Sequence, residues 1–372
     1  MARPQGRRLL GGLILLGTLG PAQAGPDLAH QVGQMVMAGF RGTEVEPEQP
    51  VARAIRENHL GGVILFDRDV PSGSDTRNVR SPRQLRRLTE TLRALADHRL
   101  LVAVDQEGGA VSRLTPRHGF RSEPAAAELA RKGPAATRRS AAATARQLAE
   151  AGINWNLVPV VDLARNPDSP VIAGLGRSFG EAPERVIRHA AAVIRAHREA
   201  GVLTALKHFP GHGSAVGDTH AGPVDITATW SRRELIPYRA LIRQDLADAV
   251  MMGHLRHRDL DPRWPASLSP AILRGLLREE LGFQGVVITD DLQMGAIRRE
   301  HDLRTVIRQA LRAGADILLF ANNTVYRPDI AARATTVMRQ LVADGVVSRE
   351  RIRRSYRRIR QLKERLAEGS GG

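Results

Sequence analysis

The sequence contains no cysteine and few aromatic residues. The lack of cysteine excludes disulfide bonds and lipid attachment through a cysteine. Only 3% of the residues are Phe, Trp or Tyr, and no nucleic-acid recognition motif is present, so nucleic acid is not an expected partner. No Gly-x-Ser-x-Gly sequence occurs, which removes the corresponding serine nucleophile from consideration.

The positive charge comes almost entirely from arginine. The formal net charge is +16, although the chain has only three lysines. Without the three arginines of residues 1–24, the net charge is +13. A surface of this kind favours anionic surroundings, and bacterial cell walls carry both carboxylates and phosphates.

Residues 1–24 have the pattern of an export signal. A basic start precedes an apolar run at 9–20, and Ala22-Gln23-Ala24 forms a small-x-small cleavage site. The run of 12 apolar residues is short of the roughly 20 that span a bilayer. We therefore expect residues 25–372 to be an exported protein, periplasmic or secreted, without stable membrane insertion.

Short apolar runs alternate with longer amphipathic stretches along the rest of the chain, a pattern typical of successive β-α units. Eight runs are candidate strands: Met35–Ala38, Gly62–Phe66, Leu100–Val104, Asn156–Val161, Leu203–Leu206, Ala249–Gly253, Val286–Thr289 and Asp316–Phe320. Eight strands close a barrel, and no glycine-rich nucleotide loop follows the first of them. The predicted fold class is α/β, a single (β/α)8 TIM-type barrel over residues 25–372.

Helix signals lie between these strands and after the last one. Helices are predicted over Arg83–Ala96 and Ala271–Leu281, each preceded by Ser-Pro. The arginine-rich stretch Ser348–Leu366 has apolar residues at helical spacing, so we expect a helix that docks on the barrel with a basic outer face. No exposed apolar seam is evident, and a monomer is expected.

Polar residues follow four of the candidate strands. They are Asp105-Gln106-Glu107-Gly108-Gly109, Lys207 to Gly213, His254, and Asp290-Asp291. In a (β/α)8 barrel the downstream strand ends share one face, where the βα loops form the active site. The sequence therefore predicts one site that contains carboxylates, histidines and cations.

Two chemistries compete for these residues. Metal-assisted hydrolysis would use His208 and His212, which have i, i+4 spacing, with Asp218, His220 and His254 as further ligands. Pro210 and Gly211 argue against a helix there, so the two rings need not share a face. Glycoside hydrolysis would use Asp290 or Asp291 as the attacking carboxylate, and Asp218 with His220 as the proton donor.

Five segments carry a resemblance to a known family. They are Val104 to Gly109, Gly176-Arg177-Ser178-Phe179-Gly180, Lys207 to Gly213, Asp218-Thr219-His220, and Thr289-Asp290-Asp291-Leu292-Gln293-Met294. Their order and spacing resemble glycoside hydrolase family 3, in particular its bacterial β-N-acetylglucosaminidase (β-N-acetylhexosaminidase) branch, which acts on peptidoglycan fragments. The resemblance extends from Gln34 to about Leu366.

The resemblance implies a role for each matching residue. Asp290 would be the catalytic nucleophile, with Asp291 the alternative, and His220 would donate the proton with Asp218 as its orienting carboxylate. The residues expected to hold the terminal sugar are Asp105, Arg113, Arg177, Lys207 and His208. His212 and His254 are expected to be supporting or structural. No metal or cofactor is expected.

Many relatives in the family take the donor from a second domain, whereas only residues 367–372 follow the last predicted helix. We therefore expect the donor to come from the loop after Lys207-His208, with Glu107 as the alternative. Two positions depart from the family pattern: Ser214-Ala215 replaces the usual Asp-Thr, and Ala110 stands where Arg is common.

The resemblance thus implies an exo-acting retaining β-N-acetylglucosaminidase that removes terminal, non-reducing β-linked N-acetylglucosamine through a covalent glycosyl-enzyme intermediate. The expected substrates are muropeptides or oligosaccharides that contain this sugar. Two alternatives stay open. One is cleavage by phosphate in place of water. The other, motivated by Ser214-Ala215 and the basic surface, is a catalytically idle protein that binds wall sugars.

Overall fold

Eight short, buried strands form the centre of the molecule. The structure is a computed structural model that describes residues 1–2 and 26–368. The central strands are β1 (Val36–Gly39), β2 (Gly62–Leu65), β3 (Leu101–Val104), β4 (Trp155–Asn156), β5 (Leu203–Phe209), β7 (Ala249–Met252), β9 (Val286–Thr289) and β10 (Leu318–Phe320). They are parallel, in the order β10-β1-β2-β3-β4-β5-β7-β9. A bridge between Ile288 and Ile317 joins the two ends, so the sheet is a (β/α)8 barrel as predicted.

Helices surround the barrel. Their bounds are α1 (Leu28–Gln34), α2 (Pro50–Glu57), α3 (Pro82–Ala94), α4 (Ala126–Lys132), α5 (Pro134–Glu150), α6 (Pro183–Glu199), α7 (Ile236–Arg243), α8 (Gly295–Arg298), α9 (Leu303–Ala313), α10 (Ile330–Ala343) and α11 (Arg349–Glu368), with a π-helix at Ala271–Glu280. Several begin at a side-chain cap; Ser81 accepts a hydrogen bond from Gln84 N at the start of α3. The predicted C-terminal helix is confirmed as α11, which buries Ile352, Ile359 and Leu362.

The strands are apolar because helices cover the outer face of the barrel and side chains fill its interior. Every residue of β1, β2, β3 and β9 is buried. All eight predicted strands are present, and the predicted bounds of six of them match the structure to within two residues, those of β9 without any difference. The other two, β4 and β5, differ by more. β4 ends at Asn156, short of the predicted Val161, because Pro159 has no N–H for a strand ladder. β5 continues past the predicted Leu206 to Phe209.

A second, very small sheet lies above the barrel and was not predicted. β6 (Val224–Asp225) pairs in parallel with β8 (Leu255–Arg256). Ala215, Val224, Ile226 and Leu255 form a separate apolar cluster under this pair. The cluster fixes both ends of the segment that carries Asp218 and His220.

The predicted export signal lies, apart from its first two residues, outside the described part of the chain, and it stays a prediction. No helix among the described residues has the length and apolar character needed to cross a membrane.

Candidate active site

A cavity of about 850 Å³ opens at the downstream ends of the barrel strands. All the residues that the sequence pointed to for catalysis or sugar binding line it: Asp105, Arg113, Arg177, Lys207, His208, Asp218, His220 and Asp290. Asp291, Glu107 and His212 also reach its wall, whereas His254 lies behind it. The strand ends therefore meet as the barrel rule predicts.

Asp290 directly follows β9 at the base of the cavity. Its backbone N–H donates to Met252 O at 2.9 Å, which ties it to the neighbouring strand. Burial acts to raise the pKa of its carboxyl, but His254, His208 and His220 outweigh that effect and lower the pKa to about 2. Asp290 is thus a partly buried carboxylate that stays ionised at neutral pH.

Asp291 is oriented differently from its neighbour. Its Oδ1 accepts hydrogen bonds from Gln293 N at 3.0 Å and Ala321 N at 2.9 Å. Burial raises the pKa of Asp291 to about 6, and the charge of Asp290 adds to that shift. Because its carboxyl is occupied by backbone donors, Asp291 holds the loop after β9 in place and is a poorer nucleophile than Asp290.

His254 is fully buried behind this pair of carboxylates. Its Nε2 donates to Asp291 O at 2.8 Å, and Ser267 Oγ donates to its Nδ1 at 2.7 Å. Burial lowers the pKa of His254, which favours the neutral ring near pH 7. Both nitrogens have protein partners, which assigns this histidine a supporting position.

The floor of the cavity is a network of paired charges. Lys207 Nζ lies 2.6 Å from Asp105 Oδ1 and 2.7 Å from Glu107 Oε1. Arg177 makes a two-pronged contact with Glu107, at 2.7 Å from Nε to Oε2 and 2.8 Å from Nη2 to Oε1. This network contains three of the residues expected to hold the sugar.

These cations also decide what Glu107 can do. Burial would raise the pKa of its carboxyl, but Arg177 and Lys207 hold the pKa far below its ordinary value. A carboxyl that keeps no proton at neutral pH cannot supply one to a leaving group. The geometry therefore disfavours Glu107 as the alternative proton donor.

His208 is held by a carboxylate that the sequence reasoning missed. Asp162 Oδ2 accepts from His208 Nδ1 at 2.8 Å, and Asp162 Oδ1 accepts from His212 N at 2.8 Å. The opposite ring nitrogen, His208 Nε2, accepts from Arg177 Nη2 at 3.3 Å. Asp162 follows the apolar run Val160-Val161, so the strand-end rule that found Asp105 and Asp290 would have found it too.

His208 and His212 have different environments, despite their i, i+4 spacing. Their ring centroids are 5.8 Å apart with the planes at 72°. His208 belongs to β5, whereas His212 follows Pro210 and Gly211. Burial lowers the pKa of His212 to about 4. Its Nδ1 is buried without a hydrogen-bond partner in the described part of the chain.

The Asp218–His220 pair lies on the loop between β5 and β6 and faces solvent. His220 Nδ1 is 2.7 Å from Asp218 Oδ1, and the same oxygen accepts from His220 N at 2.8 Å. The His220 side chain is 65% exposed. Partial burial would raise the pKa of Asp218, but the hydrogen bonds from His220 lower it. The carboxylate therefore stays charged and orients the imidazole.

The loop is docked onto the start of α8, just after Asp290. Gly295 N donates to His220 O at 3.2 Å, and Ala296 N donates to Thr219 O at 3.2 Å. A Cβ on Gly295 would lie 2.6 Å from His220 O, so only glycine permits this approach. The backbone thus places the His220 side chain over the same cavity as Asp290.

The departure Ser214-Ala215 is accommodated beneath this loop. Ser214 Oγ donates to Glu234 Oε1 at 2.5 Å, and Gly213 N donates to Glu234 Oε2 at 3.2 Å. Burial raises the pKa of Glu234 to about 7. Ala215 is fully buried in the small apolar cluster. Ser214 and Ala215 therefore both have a structural role, and the loop still carries Asp218 and His220 although these two residues depart from the family pattern.

Arginines line the outer wall of the cavity. The Arg113 guanidinium lies over the Phe66 ring at 5.5 Å and reaches Asp67 at 3.9 Å. Further out, Arg68 and Arg117 flank Asp75, at 3.7 Å and 3.4 Å from its Oδ1. Both side chains are largely exposed, so the mouth of the cavity is positively charged.

The sequence of the chain is similar to those of known glycoside hydrolases. A family model described as "Glycosyl hydrolase family 3 N terminal domain" matches residues 27–362. A β-hexosaminidase of Alkalilimnicola ehrlichii is 36% identical over 298 residues, which cover 77% of this chain and 80% of that protein.

Two solved structures resemble the fold closely. A family 3 β-N-acetylglucosaminidase from Paenibacillus sp. str. FPU-7 superposes with a TM-score of 0.84 at 35% identity, covering 93% of this chain and 64% of that one. A β-N-acetylhexosaminidase from Beutenbergia cavernae gives a TM-score of 0.81 at 30% identity, with coverage of 92% and 100%. This chain therefore spans just under two thirds of the Paenibacillus protein and all of the Beutenbergia one.

Proposed function

The chain belongs to glycosyl hydrolase family 3, and we propose that this glycoside hydrolase is an exo-acting β-N-acetylglucosaminidase that retains the anomeric configuration. One observation carries the proposal. A partly buried carboxylate, Asp290, and an exposed Asp–His pair, Asp218 and His220, line the same cavity. Retaining hydrolysis needs one group that stays ionised to attack and one that exchanges a proton with the leaving oxygen.

In the first step, a carboxylate oxygen of Asp290 forms a bond to the anomeric carbon as the bond to the leaving oxygen breaks. The low pKa of Asp290, about 2, keeps the nucleophile charged. Its backbone anchor to Met252 and its position after β9 hold it under the sugar. The product of this step is a covalent glycosyl-enzyme intermediate.

The leaving oxygen keeps the electron pair of the broken glycosidic bond and takes a proton from His220. A carboxylate can only accept hydrogen bonds, so the Asp218 contact fixes the Nδ1 proton of the ring and leaves Nε2 to exchange the other. Loss of the Nε2 proton converts the imidazolium to a neutral ring. Asp218 keeps the ring oriented in both states.

In the second step, water attacks the anomeric carbon from the face that the leaving group vacated. The neutral Nε2 of His220 takes the water proton, the oxygen bonds to carbon, and Asp290 departs as a carboxylate. Two inversions at one carbon give net retention. The released sugar is therefore the β-anomer.

The cavity floor supports action at a chain end. Asp105, Lys207 and Arg177 present polar atoms to the sugar hydroxyls, while the ion pairs with Glu107 close the barrel beneath them. A polysaccharide cannot continue through this floor. The bound sugar is therefore the terminal, non-reducing residue.

The charged mouth supports an acidic aglycone. Three arginines at the mouth, Arg68, Arg113 and Arg117, pair with only two carboxylates, Asp67 and Asp75. One positive charge therefore remains at the place where the leaving sugar would extend. Lactyl and stem-peptide carboxylates of peptidoglycan fragments match this charge. We propose such fragments as the natural substrates, and the predicted export signal would bring the protein to them.

Hydrolysis of a β-N-acetylglucosaminide followed by NMR tests the mechanism. We expect the β-anomer as the first product, and no turnover in Asp290→Ala. Early formation of the α-anomer would contradict retention. Sugar 1-phosphate as the main product in phosphate buffer would identify the enzyme as a phosphorylase, and binding of wall sugars without turnover would identify an idle protein.

Paired substrates test the choice of aglycone. We expect a higher kcat/KM on a muropeptide than on chitobiose, and the variant Arg68→Gln/Arg117→Gln should remove that preference while leaving chitobiose turnover unchanged. Equal rates on both substrates in the wild-type protein would contradict the peptidoglycan assignment.

Mass spectrometry of the exported protein tests the export signal. We expect an N-terminus at Gly25.

A further inference from the structure

A cluster of histidines and a carboxylate lies at the end of the barrel opposite to the active site. His30 belongs to α1, His59 lies between α2 and β2, and Asp97 lies between α3 and β3. Loops that lead into strands gather at the face away from the catalytic βα loops. The catalytic mechanism uses none of these residues.

The ligand atoms of the three side chains converge. One metal-ligating atom from each of His30, His59 and Asp97 lies within 4.8 Å of the other two. The rings of His30 and His59 have centroids 4.9 Å apart, and His59 Nδ1 is 3.7 Å from Asp97 Oδ2. In a tetrahedral zinc site, neighbouring ligand atoms are about 3.4 Å apart. Small side-chain adjustments therefore suffice to close the cluster around one ion.

His59 has an unsatisfied group that a metal would satisfy. Its Nδ1 is buried and has no hydrogen-bond partner in the part of the chain that the structure describes. A buried polar atom without a partner is costly, so its presence needs a physical explanation. A bound cation that accepts the lone pair of His59 Nδ1 is an explanation that fits the neighbouring His30 and Asp97.

The supports of the cluster are already in place. His98 Nδ1 is 2.8 Å from Asp97 Oδ1, which leaves Oδ2 towards His59. Gln34 Nε2, on α1, donates to His59 O at 2.7 Å, so the helix that carries His30 also holds the backbone of His59. Such outer contacts orient metal ligands in known sites.

The charges nearby permit a cation. Metal binding requires the neutral form of each imidazole. The competing cation is Lys363, whose Nζ donates to Gln34 Oε1 at 2.6 Å. Burial lowers the pKa of Lys363 to about 7, so this amine is easily neutralised.

We propose that His30, His59 and Asp97 bind a divalent transition metal of the zinc class. Two imidazoles and one carboxylate suit zinc, with water as the fourth ligand. The ion would cross-link α1 to two loops at the base of the barrel. In a chain without cysteine, it is a cross-link that disulfides cannot supply.

To test the proposal, the full exported chain is treated with a chelator, dialysed and then titrated with zinc. We expect one equivalent by titration calorimetry and a thermal midpoint about 2–4 °C higher with zinc at 100 times Kd. The variant His30→Gln/His59→Gln should lose both effects and keep the wild-type turnover of an aryl N-acetylglucosaminide. Asp97→Asn provides a second test that disturbs the cluster less, because it removes only the carboxylate ligand.

Two controls locate the ion. Asp218→Asn/His220→Gln removes the other exposed Asp–His pair and should retain zinc binding and the thermal shift. His301→Gln changes a histidine outside both clusters and should behave like the wild type. Zinc binding that survives in His30→Gln/His59→Gln, or that disappears in the loop variant, would overturn the proposal, as would the absence of binding to the wild-type chain.

Discussion

The floor of the active-site cavity and the loop above it hold their charges in opposite ways. On the floor, the side chains of Lys207, Glu107 and Arg177 are 2%, 6% and 11% exposed, and each contacts an opposite charge within 2.8 Å. On the loop, His220 is 65% exposed and has one charged partner, Asp218.

The difference follows from what each region has to do. Groups that hold a sugar or attack carbon must keep one charge state, and burial among opposite charges fixes that state. A group that gives and then takes a proton must change its state in every turnover, which exposure makes inexpensive. The floor is therefore expected to be intolerant of charge loss, and the loop sensitive mainly to the leaving group.

The largest effect is expected at the attacking group of the floor. Asp290→Ala removes the nucleophile, so kcat should fall by roughly 10⁴-fold or more on aryl and disaccharide substrates alike. Steady-state rates on both substrates measure the effect. Asp259→Asn, at an exposed aspartate, is the matched control and should be silent. A loss confined to one substrate would contradict the role of Asp290.

Next in size is the loss of a floor carboxylate. Glu107→Gln leaves Lys207 and Arg177 with an uncompensated buried charge, which typically costs about 3–5 kcal/mol of unfolding free energy. Glu199→Gln breaks the exposed pair with Arg138 and should cost about 1 kcal/mol or less. Urea denaturation compares the two variants. Similar values for both would mean that the floor network is no more important than a surface ion pair.

The sequence predicted the floor and the loop unequally. β9 was predicted with its true bounds because Val286–Thr289 is a continuous apolar run that Asp290 ends. β5 was predicted to end at Leu206, because Lys207 and His208 are polar. In the structure both are buried strand residues. Their burial depends on Asp105, Glu107 and Asp162, which lie in the segments after β3 and β4 and cannot be read from the local sequence.

Glu234 shows a second limit. It lies in a short 3-10 helix at Arg232–Leu235, with no pattern to mark it as buried. Its contacts with Gly213 and Ser214 form only when the chain folds back over β5. The small β6–β8 pair was missed for a similar reason, since strands of two residues leave no periodicity to detect.

The loop itself is tested by removing the proton donor. Without His220 a sugar alkoxide must leave unprotonated, so His220→Ala should lower the disaccharide rate by roughly 10²–10⁴-fold. An aryl leaving group with a low pKa needs no proton, and its glycosyl transfer to Asp290 should be much less affected. Rates on a series of leaving groups measure the contrast. Equal losses on all substrates, with a leaving-group dependence in Glu107→Gln instead, would transfer the donor role to Glu107.

The free energy of unfolding is expected to depend on pH through Glu234, which contacts Gly213 and Ser214 between the floor and the loop. Its pKa is raised to about 7 by burial, from the ordinary value of 4.5. The folded state therefore holds the proton more tightly, and the resulting stability is complete below about pH 4 and lost as pH rises through 7. The loss is roughly 3 kcal/mol at most.

Glu234→Gln cannot titrate, so it isolates this contribution. The unfolding free energy of the wild type minus that of the variant should fall by about 1–3 kcal/mol between pH 5 and pH 8. Asp291, which also titrates in this range, is present in both proteins and cancels. A difference that stays constant with pH would show that Glu234 does not titrate there.

The smallest effect is expected at Asp218, because Asn can keep the hydrogen bond to His220 and lose only the charge. At the exposed loop a charge at 2.7 Å is worth about 1 kcal/mol, so Asp218→Asn should lower the disaccharide rate by roughly fivefold. The aryl glycoside rate should change little. A larger loss than in His220→Ala, or an equal loss on both substrates, would mean that Asp218 positions the sugar and does more than orient the donor.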